Sequence, residues 1–452
     1  MAGYITLIIM WMIAFYGIYK CNYMSVNIIT VFVVFQNFVL ILISGSISST
    51  LYSLIILAKE IYVVLLIICS LARKRPMTIK KFDLGCFICM LLLLVISIMS
   101  SGNNLMSILA SFRQLYLPFI FYLMGRMLNL SYEEIKKVIV FFVKLSLVVV
   151  IFGIAEWATG NLLWSHTSIA QYYNYKGYSK YVYGGRILHA GVYSYDFYPL
   201  FIFRRMISFM ADPVILGQFL SVSVIIAMFG KDIIRNHKKR YMYVCILGIG
   251  LLLTFTKGGI LISAAAFVVL VSKIWKKHIL SNLALIISVV CAILFLSFAF
   301  INNQSSLNHL NGLLDGFSVM GSNIFGVGIG RYGNMTSLYG NTAVKGSGES
   351  FIGSMIAQIG IVGILIYGYF YINLFYKLRR EKNDLAVIVY WLNAALLITA
   401  FFNNTAISFT NCFIYFILAG ACLSLDSKKE YMIKRVNCNM VIPDKIGTLK
   451  NE

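Results

Sequence analysis

Long apolar runs constrain this chain more than any other feature it has. Each is about 15–22 residues long, near the length an α-helix needs to cross roughly 30 Å of hydrocarbon. They fall near 5–19, 27–44, 54–72, 83–99, 108–125, 137–155, 214–230, 241–256, 258–273, 280–300, 351–375, 386–402 and 409–425. Hydrophobic residues make up 60% of the 452 and charged ones only 12%, whereas a soluble domain carries about 25% charged residues. A water-soluble chain could not hide that excess, because its surface would be apolar too. The pattern predicts an all-α polytopic membrane protein, a single membrane domain over 1–452 with about 13 transmembrane helices (range about 11–14).

Charge sets the orientation. A net charge of +22 would suit nucleic acid, but about 27 of the 38 Lys and Arg residues cluster in alternate short breaks between apolar runs. That is the positive-inside pattern, so no nucleic-acid partner is expected. The basic side, including the tail at 426–452, is expected to be cytoplasmic and the N-terminus external. Two long connections, about 156–213 and 301–350, then lie outside. The first apolar run lacks a basic leader and an obvious cleavage site, and reads as a retained helix. Nine cysteines fall outside those external loops, so disulfides are not expected; Cys86 and Cys89 form a CxxC inside an apolar run and read as packing residues.

Several residues could carry chemistry. Lys257, in TFTKGG, separates two apolar arms that both end in basic clusters, which predicts a hairpin with Lys257 at its outer tip. Gly258 and Gly259 would allow the tight turn. A cation there can meet a lipid-linked phosphate at headgroup depth, or simply snorkel. In RRMISFMADPVILGQF, Arg204 and Arg205 offer planar forks suited to a diphosphate, or lie at headgroup level. Asp212 stands before a proline that suits a first helical position, as a cap or as a catalytic carboxylate. Nine of the 29 tyrosines crowd the first loop, among them Tyr193, Tyr195 and Tyr198. They suit a glycan surface or a membrane interface.

Arg331 lies in GVGIGRYGN, whose glycines lack the strand-to-helix context of a dinucleotide site. Glu349, in SGES, is one of five outward carboxylates and precedes a helix; it is a candidate general base or a dipole partner. Arg113 falls inside an apolar run, where a charge usually faces a partner or a polar cavity. Lys59 and Glu60 are adjacent and could pair with each other. His166 and His189 have no ligand spacing, so neither a metal nor another cofactor is expected.

Four stretches between about 108 and 402 carry a resemblance: RRMISFMADPVILGQFL, LLLTFTKGGILISAAAFVVL, NIFGVGIGRYGN and GESFIGSMIAQIGIVGILIYGYF. Together they resemble the O-antigen polymerase and O-antigen ligase superfamily of bacterial surface-polysaccharide assembly. The resemblance implies two large external loops with functional cations, at Arg204 or Arg205, Lys257 and Arg331. It also implies action on glycans carried by undecaprenyl diphosphate, for lipopolysaccharide O-antigen or capsule, at the bacterial cell (inner) membrane. Membrane lipid, a chain-length regulator and a flippase would be its partners. The chain departs from the pattern at Lys257, where arginine is usual, and lacks the R-x10-G spacing of some polymerases. A ligase would carry a histidine in the second loop close to the next helix; here that stretch is SGES and His309 lies far upstream, which favours a polymerase. A flippase or secondary transporter is the alternative from another class, and would more often show broken helices.

The charge asymmetry gives a direct expectation. Single cysteines placed at Ser179 and Asn236 should respond oppositely to an impermeant thiol reagent on intact cells, with only the first labelled. Labelling at Asn236 and not at Ser179 would invert the whole orientation.

Overall fold

A computed structural model describes residues 2–73, 79–100, 104–178, 187–194, 202–231, 233–260, 263, 304–333, 348–381 and 383–440. Among the described residues the chain is all-α apart from one two-stranded ladder. Its helices are α1 (Ala2–Lys20), α2 (Tyr23–Ile43), α3 (Ser49–Ala72), α4 (Lys81–Met99), α5 (Leu105–Leu128) and α6 (Tyr132–Ala158), then two short ones, α7 (Leu162–Ser165) and α8 (Ile169–Tyr175). The strands β1 (Tyr193–Ser194) and β2 (Phe203–Arg204) pair antiparallel. They are followed by α9 (Pro213–Phe229), α10 (His237–Thr254), α11 (Gln304–Ser322), α12 (Phe351–Arg380), α13 (Asp384–Phe402) and α14 (Phe409–Met440).

Eight of these helices, α1 to α6, α12 and α13, are long and apolar enough to cross a membrane. The apolar helices Pro213–Phe229 and Phe409–Leu425 are shorter, and α10 opens on His237, Lys238, Lys239 and Arg240. These eleven match expected runs. The run at 280–300, and 258–273 beyond its first residues, lie outside the described residues, so the figure of about 13 concerns more chain than is described here. Helix α14 runs on through part of the segment read as a tail, to Met440.

Helix starts follow side-chain chemistry. Asn22, Ser48, Ser131, Asp212, Asn236, Ser350 and Asn383 each accept a backbone N–H of the helix they precede, which satisfies donors that lipid cannot.

Helices α5 and α14 lie in backbone contact. A Cβ on Gly125 would come within 2.2 Å of the Ile417 carbonyl, and one on Gly420 within 2.0 Å of that of Tyr122. Small residues permit this approach where apolar burial gives no drive between helices in lipid. Beside the seam, the buried Arg126 guanidinium grips Asp83 of α4 through Nε (3.0 Å) and Nη2 (2.8 Å). Arg126 Nη1 donates to the Leu423 carbonyl, and Tyr122 Oη donates to Asp83. The network ties α4, α5 and α14 together.

Helix α12 is broken at Gly360, whose φ of 53° and ψ of −138° are not helical. The carbonyls this frees are taken up by the glycine-rich loop. Val327 N donates to Ala357 O, Gly328 N to Gln358 O and Ile361 N to Ile324 O, each at 2.9 Å. Non-helical backbone at such a point is tolerated because the protein itself supplies the partners.

A valine at Gly420 is expected to lose folded protein, since overpacking costs about 1–3 kcal/mol and here the obstacle is backbone. Gly368→Val meets nothing within 4 Å and should be tolerated. Thermal unfolding of the purified variants distinguishes the two.

Candidate functional site

The two long connections emerge at one end of the bundle, and a single turn organises what lies between them. Asn404–Ile407 is a 3-10 turn joining α13 to α14. Gln114 Nε2 donates to Asn404 at both the backbone oxygen (2.7 Å) and Oδ1 (2.9 Å). Gln114 stands nine positions past the start of α5, so the turn sits roughly 13 Å below that helix end at 1.5 Å per residue. The turn therefore forms a floor below the loop face.

Glu349 reaches this floor through its backbone, whose oxygen accepts Asn404 N at 2.7 Å. Its carboxylate lies 3.1 Å from His309 Nδ1. Desolvation raises the Glu349 pKa above the usual carboxylate range, and His309 offsets part of that. Helix α11 carries His309 to the spot because Gly316 packs against Gly353 of α12, where a Cβ would meet the Gly353 carbonyl at 2.3 Å. The far-upstream histidine of the sequence is thus a neighbour of the helix start in space. Proximity along the chain was the wrong measure.

Lys257 follows the C-terminal end of α10. The turn is made by Phe255, at φ 48°, and not by Gly258 or Gly259. Gly259 serves close approach instead, since a Cβ there would sit 3.0 Å from the Gly217 carbonyl. Thr256 Oγ1 donates to Pro213 O at 2.7 Å, and the nearest atom to a Cβ on Gly258 is the Thr399 methyl, at 4.0 Å. Lys257 therefore starts its helical turn beside the ends of α9 and α13. The second arm of the expected hairpin lies outside the described residues.

Arg204 and Arg205 diverge, as neighbours on extended backbone do. Arg205 lies against the Lys257 turn. Its Nε donates to Thr254 O (2.8 Å), its Nη2 to Thr256 Oγ1 (3.3 Å) and its Nη1 to Gly191 O (3.1 Å). Arg204 turns the other way and pairs with the wholly buried Glu156. Glu156 also accepts Trp164 Nε1 (2.7 Å) and the amides of Ile207 and Ser208. One arginine faces the candidate site and its neighbour anchors the loop.

Asp212 caps α9, its Oδ1 accepting Val214 N (2.8 Å) and Ile215 N (3.0 Å). Its charge also reaches Lys176 and His189. Desolvation pushes Lys176 down to about 8 against the pull of Asp212. Burial lowers His189, with Lys176 and Arg205 adding to the effect while Asp212 opposes it. Tyr172, Tyr173 and His189 stack edge to edge, with centroids 5.6 and 4.7 Å apart. The sequence reading counted the tyrosines and named His189, but nothing in it singled out Lys176 or brought these side chains together.

Arg331 rides on the loop docked into the break of α12. Gly330 N donates to Gln358 Oε1 (2.9 Å), Ile329 N to Ser100 Oγ (3.0 Å), and Ser107 Oγ to Gly330 O (2.8 Å). Arg113 pairs with Glu60 at 2.9 Å, while Lys59 donates to Gln36; Lys59 and Glu60 are thus paired apart. Tyr193 Oη accepts from Asn161. Tyr195 and Tyr198 lie outside the described residues. Among the described residues, no group of three or more His, Cys, Asp or Glu could hold a metal.

No protein-family model matches the chain, and no curated protein does.

The two arginines should separate by experiment. Arg204→Ala leaves the buried Glu156 carboxylate unpaired, and breaking such a pair costs about 3–5 kcal/mol. It should lower the unfolding midpoint sharply, with Glu156→Gln in the same chain recovering part. Arg205→Ala removes hydrogen bonds from a partly exposed group and should cost much less.

Proposed function

We propose that the protein polymerises oligosaccharide repeat units carried on undecaprenyl diphosphate, of O-antigen or capsular type, at the outer face of a bacterial cell membrane. The observation that carries this reading is the seating of the Arg205 guanidinium on the Thr254–Thr256 turn that leads into Lys257. Arg205 thus meets the backbone segment that carries Lys257, and in this reading the two cations share the diphosphate leaving group. The turn at Asn404 links that face to Glu349.

In the proposed reaction, a sugar hydroxyl of one lipid-linked unit attacks the anomeric carbon of the growing chain. The carbon–oxygen bond to the diphosphate breaks, and undecaprenyl diphosphate leaves with the electron pair. Glu349 takes the hydroxyl proton. Its desolvated carboxylate binds a proton better than an exposed one, which suits a general base. Negative charge grows on the leaving diphosphate, and Arg205 and Lys257 stabilise it without rearranging. Arg331 and Arg113 line the same end of the bundle in this reading. Arg204 has a structural role, and Asp212 holds α9 and tempers Lys176.

Ligation of finished polymer is the second reading, favoured by His309 beside Glu349. A transporter or flippase draws support from the break at Gly360.

Deletion of the gene discriminates among them. A polymerase leaves surface glycan with a single repeat unit; a ligase leaves polymer stranded on the carrier; an intact ladder rejects both. In the complemented strain, Lys257→Ala and Glu349→Gln should shorten or abolish the ladder at normal protein level, consistent with about 10²–10³ in rate for one lost stabiliser. Lys257→Arg should retain activity, and Lys238→Ala should match wild type.

A further inference from the structure

Lys59 is a cation buried in the helix bundle without a carboxylate against it. It lies eleven positions into α3 and is only 9% exposed. Its ammonium donates to Gln36 Oε1 and stands 5.4 Å from the centre of the Phe409 ring. Among the described residues no other acceptor meets it, so two of its three N–H bonds lack a hydrogen-bonding partner. The glutamate next in sequence, Glu60, is turned to Arg113. Charge in the hydrocarbon region is costly and persists where it faces a partner or a polar cavity; here the described residues supply an amide and an aromatic face.

The surroundings add to the positive charge. Arg113 and Lys176 are the other cations within electrostatic reach of Lys59, with Glu60 as the acid. Arg113 has Glu60 and Lys176 feels Asp212, which leaves the charge of Lys59 itself for an anion to relieve. Gln36 fixes the geometry, since its own Nε2 donates to Ile55 O at 2.6 Å. The amide is thereby oriented with Oε1 toward Lys59. Phe409 is the first residue of α14, just after the Asn404–Ile407 turn, so Lys59 lies beside that turn below the loop face.

We infer that Lys59 binds a phosphate group of the lipid-linked substrate, from beneath the loop face. The inference rests on the proposed reading for its choice of a polyprenyl diphosphate. The chemistry itself is that of a phosphate or diphosphate anion. An ammonium with unused donors takes phosphate oxygens directly, and a recessed position would hold the end of the diphosphate nearest the lipid tail. The deeper Lys59 and the more exposed Arg205 and Lys257 would then divide the diphosphate between them. Lys59 contacts substrate in this arrangement and contributes binding.

The test uses purified full-length protein in lipid nanodiscs. Three probes are added: undecaprenyl diphosphate, inorganic pyrophosphate and undecaprenol, which has the tail without the phosphates. Native mass spectrometry reads occupancy, and thermal unfolding reports that each variant is folded. Wild type should bind undecaprenyl diphosphate in preference to undecaprenol. Lys59→Met, similar in length and neutral, should weaken binding by about tenfold or more, as loss of a charged hydrogen bond does. Lys59→Arg should keep most of it. Gln36→Glu leaves Lys59 in place but gives it a carboxylate, and should also weaken diphosphate binding, which covers the case in which Lys59→Met fails to fold. If pyrophosphate competes in wild type and not in Lys59→Met, the anion is what Lys59 recognises. Equal binding of undecaprenyl diphosphate by folded wild type, Lys59→Met and Gln36→Glu overturns the inference, as does equal binding of undecaprenol and undecaprenyl diphosphate by wild type. The glycan ladder is scored separately. An unchanged ladder on gene deletion sinks the polymerase reading, while Lys59-dependent diphosphate binding would still stand.

Discussion

Contact between α5 and α14 is the constraint from which the rest of the arrangement follows. Gly125 and Gly420 let the two backbones meet, and the Asp83–Arg126 pair locks α4 to the same seam. In hydrocarbon there is little apolar drive to press helices together, so close packing and satisfied polar groups must hold them. The pair is fully supported: Arg126 also donates to Leu423 O and Ser424, and Asp83 accepts Tyr122 and the Lys80 amide. A buried ion pair left half-satisfied would be a liability; this one has partners on every side. With α14 fixed along α5, its first residue falls well short of the α5 start, and the depth of the Asn404 turn below the loop face follows from that offset.

The loop face gains its shape from the same rule. Each place where backbone leaves a helix is met by another segment of the protein. The break at Gly360 is filled by residues 324–328, and the 3-10 turn at Asn404 is met by Gln114 and by the Glu349 amide-linked backbone. These contacts bring pieces of the second long connection against α4, α5 and α12. The first connection is pinned as firmly. Ser44 Oγ donates to Ser168 O and Tyr175 Oη to Ile47 O, while Arg204 and Glu156 hold its return. Charged groups on such anchored backbone keep fixed positions.

Two neighbouring arginines illustrate how role separates from type. Arg204 and Arg205 share chemistry and loop, yet one is tied to a buried carboxylate and the other to carbonyls and a hydroxyl at the mouth of the Lys257 turn. Lys59 and Lys257 differ in the same manner, one beneath the floor turn and the other above the ends of α9 and α13. A cation in this chain takes its role from its neighbours.

The sequence by itself determined the all-α membrane class, and eleven of its apolar runs appear as helices, because hydrocarbon thickness imposes a length on every span. It also determined one local event, the start of α9 at Pro213 just after Asp212. The pairing of distant groups was decided only by the tertiary structure. Nothing in chain order sets His309 beside Glu349, turns Glu60 to Arg113 and away from Lys59, or separates Arg204 from Arg205. Those outcomes depend on which faces of α3, α5, α11 and α12 meet, and on glycines such as Gly316 and Gly353 that let backbones close. Periodicity and charge counts are local or summed quantities, whereas a side-chain contact is fixed by packing across the bundle.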